Sequence, residues 1–314
     1  MKLSVPGNLL VAGEYLVLRE GGSGLALAVE PRLRAEAAPA PRWKVATLMG
    51  SGGSSWSPVD DGARNMRFLW SLLEAAERAA VARGLVIAPL ELELDSRDFS
   101  RPDGRKAGFG SSAAAAAAFC LLAGRAAGLE GSALDAFALE AALAGHRAAQ
   151  GGRGSGYDVY ASLHGGAGLF EGGLQPRWTP LPGLPVPEGR VFSGKAPVSS
   201  AEAVAAFEAW TDRDPGGSER LLAASERAVR SLARAPDAAA FLERLGPARE
   251  AGLAIGDAIG FPARLEAPPG FESAAIKASG AGDELGLAFF PPGVRDVPPG
   301  LGRVVPAEGP AWRT

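Results

Sequence analysis

The chain has 314 residues, 47% of them hydrophobic, and 32 Lys+Arg set against 35 Asp+Glu give a net charge of −3. That length allows two cores, while the near-balanced charge provides no broad basic field, so nucleic acid is excluded as an expected partner. One cysteine and two histidines exclude an internal disulfide and a Cys/His zinc site, no apolar run reaches the ~18 residues of a membrane helix, and the first residues do not read as a signal peptide.

Residues 3–18 read as strand, turn and strand, with Pro6-Gly7 and Gly13 as punctuation. Residues 24–29 are a further extended piece. The Gly/Ser cluster at 50–55 reads as a loop, either a solvated hairpin tip or a lid. From Ala63 to Arg83, Met66, Leu69, Trp70, Leu73, Ala76 and Ala80 recur at helical spacing, and Gly84 ends the helix. Leu90-Glu91-Leu92-Glu93-Leu94 alternates strictly, as a half-exposed strand does.

A polar loop then leads to Gly108-Phe109-Gly110-Ser111-Ser112 and an alanine run that favours helix; Cys120 in that run reads as a small buried hydrophobe. Ser132 is placed to cap a helix running to Gln150. The glycine-rich stretch 151–156 precedes a strand-like stretch, Tyr157 to Leu163. The Pro-rich stretch 176–187 marks a change of texture, and the expected domains are 1–183 and 184–314. Val191-Phe192-Ser193 reads as strand, and helical patterns follow at about 200–211, 218–234 and 237–259. Residues 274–277, 279–282 and 285–290 read as strand, glycine loop and strand, and the tail from Pro291 reads as mostly irregular. This mixed order of elements indicates an α+β fold.

The most informative local feature is Lys106-Ala107-Gly108-Phe109-Gly110-Ser111-Ser112-Ala113. A helix N-terminus leaves backbone N–H groups unpaired and carries a partial positive charge. Glycines before it let the backbone wrap an anion, serines add hydroxyl donors, and Lys106 adds a full charge. Such a device suits the phosphates of a nucleotide. It is not a Walker A loop, because the Gly-x4-Gly-Lys-Ser/Thr spacing is absent. Taken alone, the segment also fits a plain loop-to-helix junction with a serine cap.

Three separated segments together resemble the GHMP kinase superfamily. Pro6-Gly7-Asn8-Leu9-Leu10-Val11-Ala12-Gly13-Glu14-Tyr15 is similar to its first motif, Gly108–Ala113 to its second, and Lys277-Ala278-Ser279-Gly280-Ala281-Gly282 to its third. Within the superfamily, Gly13-Glu14-Tyr15, His146-Arg147 with Gln150-Gly151, Gly154-Ser155-Gly156-Tyr157-Asp158, and Ser193 to Ser200 most resemble the phosphomevalonate kinase branch.

The resemblance implies a two-domain α+β fold, with an N-terminal domain like ribosomal protein S5 domain 2 and a ferredoxin-like C-terminal domain. It also implies ATP and Mg²⁺ as cofactors and conversion of 5-phosphomevalonate to 5-diphosphomevalonate in isoprenoid biosynthesis. The alternatives are another small-molecule acceptor, mevalonate or a sugar, and a weakly active paralogue that binds nucleotide or metabolite. The implied partners are a phosphorylated small molecule and ATP, with no nucleic acid or membrane, in a cytoplasmic monomer or homodimer.

By the same resemblance, Gly108, Phe109, Gly110, Ser111, Ser112 and Ala113 hold the nucleotide, and Ser112 contacts the metal. Asp158 orients substrate and Lys106 neutralises charge. Asn8, Glu14, Tyr15, His146, Arg147, Ser155, Gly156, Lys195, Ser279, Gly280, Ala281 and Gly282 are the implied substrate contacts. An acidic metal ligand has no clear counterpart, Glu140 being the one candidate. Two departures stand out: Asn8 occupies a position that usually carries Lys, and the third glycine loop is shortened.

Overall fold

The computed structural model describes residues 1–50, 52–57, 66–101, 103–152, 154–194, 200–280, 282 and 284–313. In chain order the elements are β1 (Lys2–Ala12), β2 (Ser23–Pro39), β3 (Lys44–Met49), β4 (Gly52–Trp56), α1 (Arg67–Val81), β5 (Leu90–Asp95), α2 (Ser111–Ala126), α3 (Gly131–Ala149) and α4 (Tyr157–His164). There follow β6 (Ala167–Glu171), β7 (Arg177–Pro180), β8 (Gly189–Ser193), α5 (Ser200–Arg213), α6 (Pro215–Leu232), α7 (Ala238–Ile259), β9 (Ala275–Ala278), β10 (Leu285–Phe289), β11 (Gly302–Val304) and β12 (Ala311–Arg313). The chain forms two compact units, one of Met1–Asn8, Pro31–Gly165 and Glu308–Thr314, the other of Leu9–Glu30 and Gly166–Ala307. The division expected after residue 183 falls in the second unit, between β7 and β8.

In the first unit, β2 runs antiparallel to β5 from Arg34↔Asp95 to Pro39↔Leu90, and β5 runs parallel to β3. The alternation of β5 takes the expected form: Leu90, Leu92 and Leu94 are buried, and Glu91 and Glu93 are exposed. Helix α2 packs on α1, α3 and α4. Its alanines make this possible, because small side chains let neighbouring helices approach from several sides at once, and Ala113 to Gly124 are buried almost throughout. Cys120 lies wholly within this core, and burial pushes its thiol pKa far up. Helix α1 is amphipathic, burying Leu69, Leu72, Leu73, Ala76 and Ala80. Trp70 stays partly exposed and donates from its indole Nε1 to Glu74, 2.6 Å away.

In the second unit, an antiparallel sheet has the order β11-β8-β10-β9. Helix α7 packs on β9, α6 on α7, and α5 on both helices. Phe192, Phe271, Ile276 and Phe290 build a core cluster there. Helix α6 has Pro215 in its first turn, and the Asp214 side chain accepts from Gly217 N at 2.9 Å; Asp237 caps α7 by accepting from Ala240 N at 2.8 Å. Arg230 joins Glu226, which also binds Ser23, to Glu171.

Several sequence-based expectations change. Residues 157–163 are helix rather than strand. Gly156, with φ 92°, turns the chain into α4, and Val159, Tyr160, Ala161 and Ser162 are buried along it, so the β-branched and aromatic composition misled. Ser132 lies inside the first turn of α3, whose N-cap is Glu130 with no side-chain bond. Residues 52–56 form the strand β4 against β3. The tail stays mostly irregular, with its two short strands paired, β11 with β8 and β12 with β1. β1 continues through Pro6-Gly7 without a turn. Gly7 is needed there for close approach, because a Cβ would lie 2.5 Å from the Phe109 carbonyl oxygen.

Candidate active site

The loop before α2 is tied down on both sides. Ala107 N donates to Phe99 O at 2.8 Å, and Asn8 N donates to Phe109 O at 2.9 Å, with the Phe109 ring itself buried. Gly108 and Gly110 take left-handed φ values of 83° and 71°. Gly110 is the N-cap of α2, with no side-chain cap and no acidic residue in the first turn. The positive end of α2 therefore has no cap or carboxylate from its own first turn, and the half-buried Ser111 and Ser112 stand at it.

Asn8 is 2% exposed, and its Nδ2 donates to Ser162 Oγ at 3.1 Å and to Gly110 O at 3.4 Å. A Cβ on Gly110 would lie 2.2 Å from that Nδ2, so glycine is required there on two counts. The structure thus turns Asn8 inward, as a bracket between the glycine loop and α4.

Three of the expected residues meet behind the loop. Ser112 Oγ lies 3.2 Å from His146 Nε2, and His146 Nδ1 lies 3.7 Å from Asp158 Oδ2. Asp158 Oδ1 accepts from Val159 N at 2.9 Å. Asp158 sits in the first turn of α4, where a carboxylate is favoured by the helix dipole. Arg147 donates from Nε to Gly154 O at 2.9 Å and from Nη2 to Ser155 O at 2.5 Å, clamping the glycine-rich turn. Burial lowers its pKa, opposed by Tyr160 and Asp158. Lys106 is exposed, in an isolated bridge with Ser100.

A second cluster lies within the other unit. Glu14 and Lys277 form a buried ion pair, and Lys277 Nζ also donates to Ala278 O at 3.0 Å. Burial pushes the Glu14 carboxyl pKa up, opposed by the Lys277 ammonium. Tyr15 takes φ 63°, a strained value for a bulky residue, and stacks on Phe207 at 5.3 Å. Its buried hydroxyl has no hydrogen-bond partner among the described residues, and burial with the nearby Glu14 pushes its pKa up to about 12.

Ser279 Oγ donates to Leu10 O at 3.0 Å, and Gly280 and Gly282 take left-handed φ values. Glu14, Tyr15, Arg249, Lys277, Gly280 and Gly282 help line a narrow pocket with about 10 Å³ of room, close to that of one water. Lys195 and Ala281 lie outside the described residues. Sequence reasoning assigned no role to Lys277 or Arg249. The signals for Lys277 were its place at the head of the third glycine segment and its position after the apolar Ala274-Ala275-Ile276.

Among the described residues, no group of three or more His, Cys, Asp or Glu side chains is placed to hold a metal. Glu140 pairs with Arg83 at 2.6 Å on the surface. Magnesium commonly takes phosphate oxygens and water with few protein ligands. The Ser112 hydroxyl at the loop fits that pattern as a single oxygen donor. No helix among the described residues is long and apolar enough to cross a membrane.

Residues 69–166 match the family model of the GHMP kinases N terminal domain. Among curated proteins, none matches the sequence. Among solved structures, the Lin0012 protein of Listeria innocua is similar at 22% identity and TM-score 0.79, covering 92% of this chain and 91% of its own. The phosphomevalonate kinase of Streptococcus pneumoniae, in complex with phosphomevalonate and AMPPNP, is 17% identical with TM-score 0.70 and 92% coverage of both chains. The mevalonate kinase of L. major, in complex with R-mevalonate, is 17% identical with TM-score 0.63, covering 92% of this chain and 86% of its own. At these identities the likeness is one of fold.

Proposed function

We propose that this chain, which has the GHMP kinase fold and whose residues 69–166 are a GHMP kinase N-terminal domain, transfers a phosphoryl group from ATP to a small phosphorylated acceptor. The acceptor we favour is 5-phosphomevalonate, giving 5-diphosphomevalonate. The observation that carries this reading is the start of α2: left-handed glycines, no capping side chain, and Ser112 backed by His146 and Asp158.

Phosphoryl transfer asks a protein mainly for positioning and charge neutralisation. The amides at residues 108–113 and the Ser111 hydroxyl hold the nucleotide phosphates. Lys106, exposed two residues before Gly108, neutralises charge, and Asp158 orients the acceptor. A phosphate monoester is largely dianionic at pH 7, so its oxygen needs no general base. Magnesium, when bound, neutralises charge between the phosphates, with Ser112 Oγ as the protein oxygen placed to hold it. Glu14, Tyr15, Ser279, Gly280 and Gly282 are proposed acceptor contacts, supported by the unpartnered hydroxyl of Tyr15.

A coupled ADP-release assay across 5-phosphomevalonate, mevalonate and galactose tests the reading, and turnover is expected with 5-phosphomevalonate. Turnover confined to mevalonate or galactose assigns another acceptor. ATP binding with no ADP release supports a non-catalytic paralogue, a reading favoured by one observation: Asn8, where the family carries a cation, is bonded inward. Lys106→Ala is expected to lower turnover about 100-fold or more without changing the thermal midpoint. Activity within twofold of wild type removes Lys106 from the reaction.

A further inference from the structure

His146 is 2% exposed, in the last turn of α3, with Phe68 edge-on to its ring at 6.1 Å. Both of its ring nitrogens face polar side chains, Nδ1 towards Asp158 Oδ2 at 3.7 Å and Nε2 towards Ser112 Oγ at 3.2 Å. The other oxygen of Asp158 already accepts from Val159 N, which holds the carboxylate in place.

A neutral imidazole carries its hydrogen on one nitrogen and a lone pair on the other, and the neighbours of each nitrogen decide which. A lone pair on Nδ1 would point at a negative oxygen, whereas a hydrogen there is attracted to it. This geometry favours the hydrogen on Nδ1, with Nε2 as the acceptor. Ser112 has one hydroxyl hydrogen, and it goes to Nε2. Both lone pairs of Ser112 Oγ are then turned away from the ring, at the start of α2.

We infer that His146 is a positioning residue that fixes the direction of the Ser112 hydroxyl. Asp158, acting through the ring, makes Ser112 an acceptor towards whatever occupies the glycine loop. With the opposite tautomer, Ser112 would accept from Nε2–H and turn its own hydrogen outward, suited to a phosphate oxygen and unsuited to a cation. The Asp158–His146 couple thus selects Ser112 as an oxygen ligand for a divalent cation carried by nucleotide phosphates. The tautomer stands on the geometry around the ring, while its use towards a phosphate-bound cation rests on the phosphoryl-transfer reading above.

Two measurements test this. The chain has only two histidines, so ¹⁵N-histidine labelling, with His164→Gln to assign by difference, reads the tautomer of His146 by NMR. The expected spectrum has a protonated Nδ1 and an unprotonated Nε2, and this preference is lost in Asp158→Ala. A proton on Nε2 in the wild type, alone or with one on Nδ1, overturns the inference.

The second measurement is AMPPNP binding by calorimetry, with Mg²⁺ and with EDTA. The magnesium-dependent gain in affinity is expected to fall about tenfold in His146→Leu, as for loss of an outer partner of a metal ligand. It is expected to persist in His146→Gln, whose amide oxygen can still accept from Ser112, with binding in EDTA equal in all three proteins. An undiminished gain in His146→Leu leaves the ring a packing role only and overturns the inference. Failure of the wild type to bind AMPPNP under either condition overturns the kinase reading and the use of the tautomer, while the NMR result still decides the tautomer itself.

Discussion

Helices α6 and α7 begin in one way, α2 and α4 in another. Asp214 and Asp237 each accept a backbone N–H three residues on, which satisfies an amide and places negative charge at the positive end of the helix. Gly110 and Gly156 do neither; they bend the chain through left-handed φ values and leave the helix start without a side-chain cap. α4 recovers part of the difference because Asp158 lies in its first turn, while α2 has no acidic residue there. Helices α1 and α3 also lack side-chain caps, so a missing cap alone does not mark a site. What sets α2 apart is the combination of left-handed glycines, serines in the first turn, and the buried His146 with the half-buried Asp158 behind one of them. The capped starts turn a side chain to the fold's own amides, and the glycine start has no such cap, which is what the proposed phosphate grip requires.

The sharpest way to break the contrast is to give α2 an ordinary residue at its start. Gly110→Ala puts a Cβ 2.2 Å from Asn8 Nδ2 and asks an L-residue to hold φ 71°. The left-handed backbone costs about 1–2 kcal/mol, and the contact adds to it. AMPPNP affinity is expected to fall by about 100-fold, roughly 2.8 kcal/mol at 1.4 kcal/mol per tenfold. Unchanged affinity by calorimetry would mean that the glycine loop does not hold the nucleotide.

Asn8→Ala acts on the same contact from the other side and is expected to be the milder change. It removes both Nδ2 bonds and leaves the buried Ser162 Oγ without that donor, at a cost of about 1–3 kcal/mol read from chemical denaturation. Because Asn8 is the atom group that a Cβ at 110 would strike, Gly110→Ala should cost less in the Asn8→Ala background than alone. A double-mutant cycle with no coupling would show that the strain lies in the backbone and not in the contact.

The sequence made the glycine start legible because its causes are local: glycines, serines and an alanine run each act through the backbone of their own segment. The alternation of Leu90 to Leu94 was legible for the same reason. α4 was not, since Tyr157, Val159 and Tyr160 read as strand, while the left-handed turn at Gly156 and packing on α2 and α3 belong to the folded chain. The link from Ser112 to His146 spans 34 residues, so a resemblance could point to each residue but not to their contact. Lys277 is a stronger case, because burying it requires Glu14, 263 residues away, and nothing beside Lys277 announces that partner. That Asn8 departs from the usual lysine was visible at once. Its inward bonding depends on Ser162 and Gly110, which only the folded chain brings to it.

The other side of the contrast gives the smallest effect and the cleanest control. Asp237→Ala removes the bond to Ala240 N and the charge at the start of α7, leaving an amide to water. Cap removal of this kind costs about 1 kcal/mol, or about 2–4 °C in thermal midpoint for a protein somewhat smaller than this one. AMPPNP affinity should not move, because Asp237 serves its own helix. Asp237→Asn, which keeps an oxygen acceptor, should recover most of the midpoint. If Asp237→Ala weakens nucleotide binding as much as Gly110→Ala does, the two kinds of helix start do not differ in function, and the glycines of α2 are loop architecture rather than a binding device.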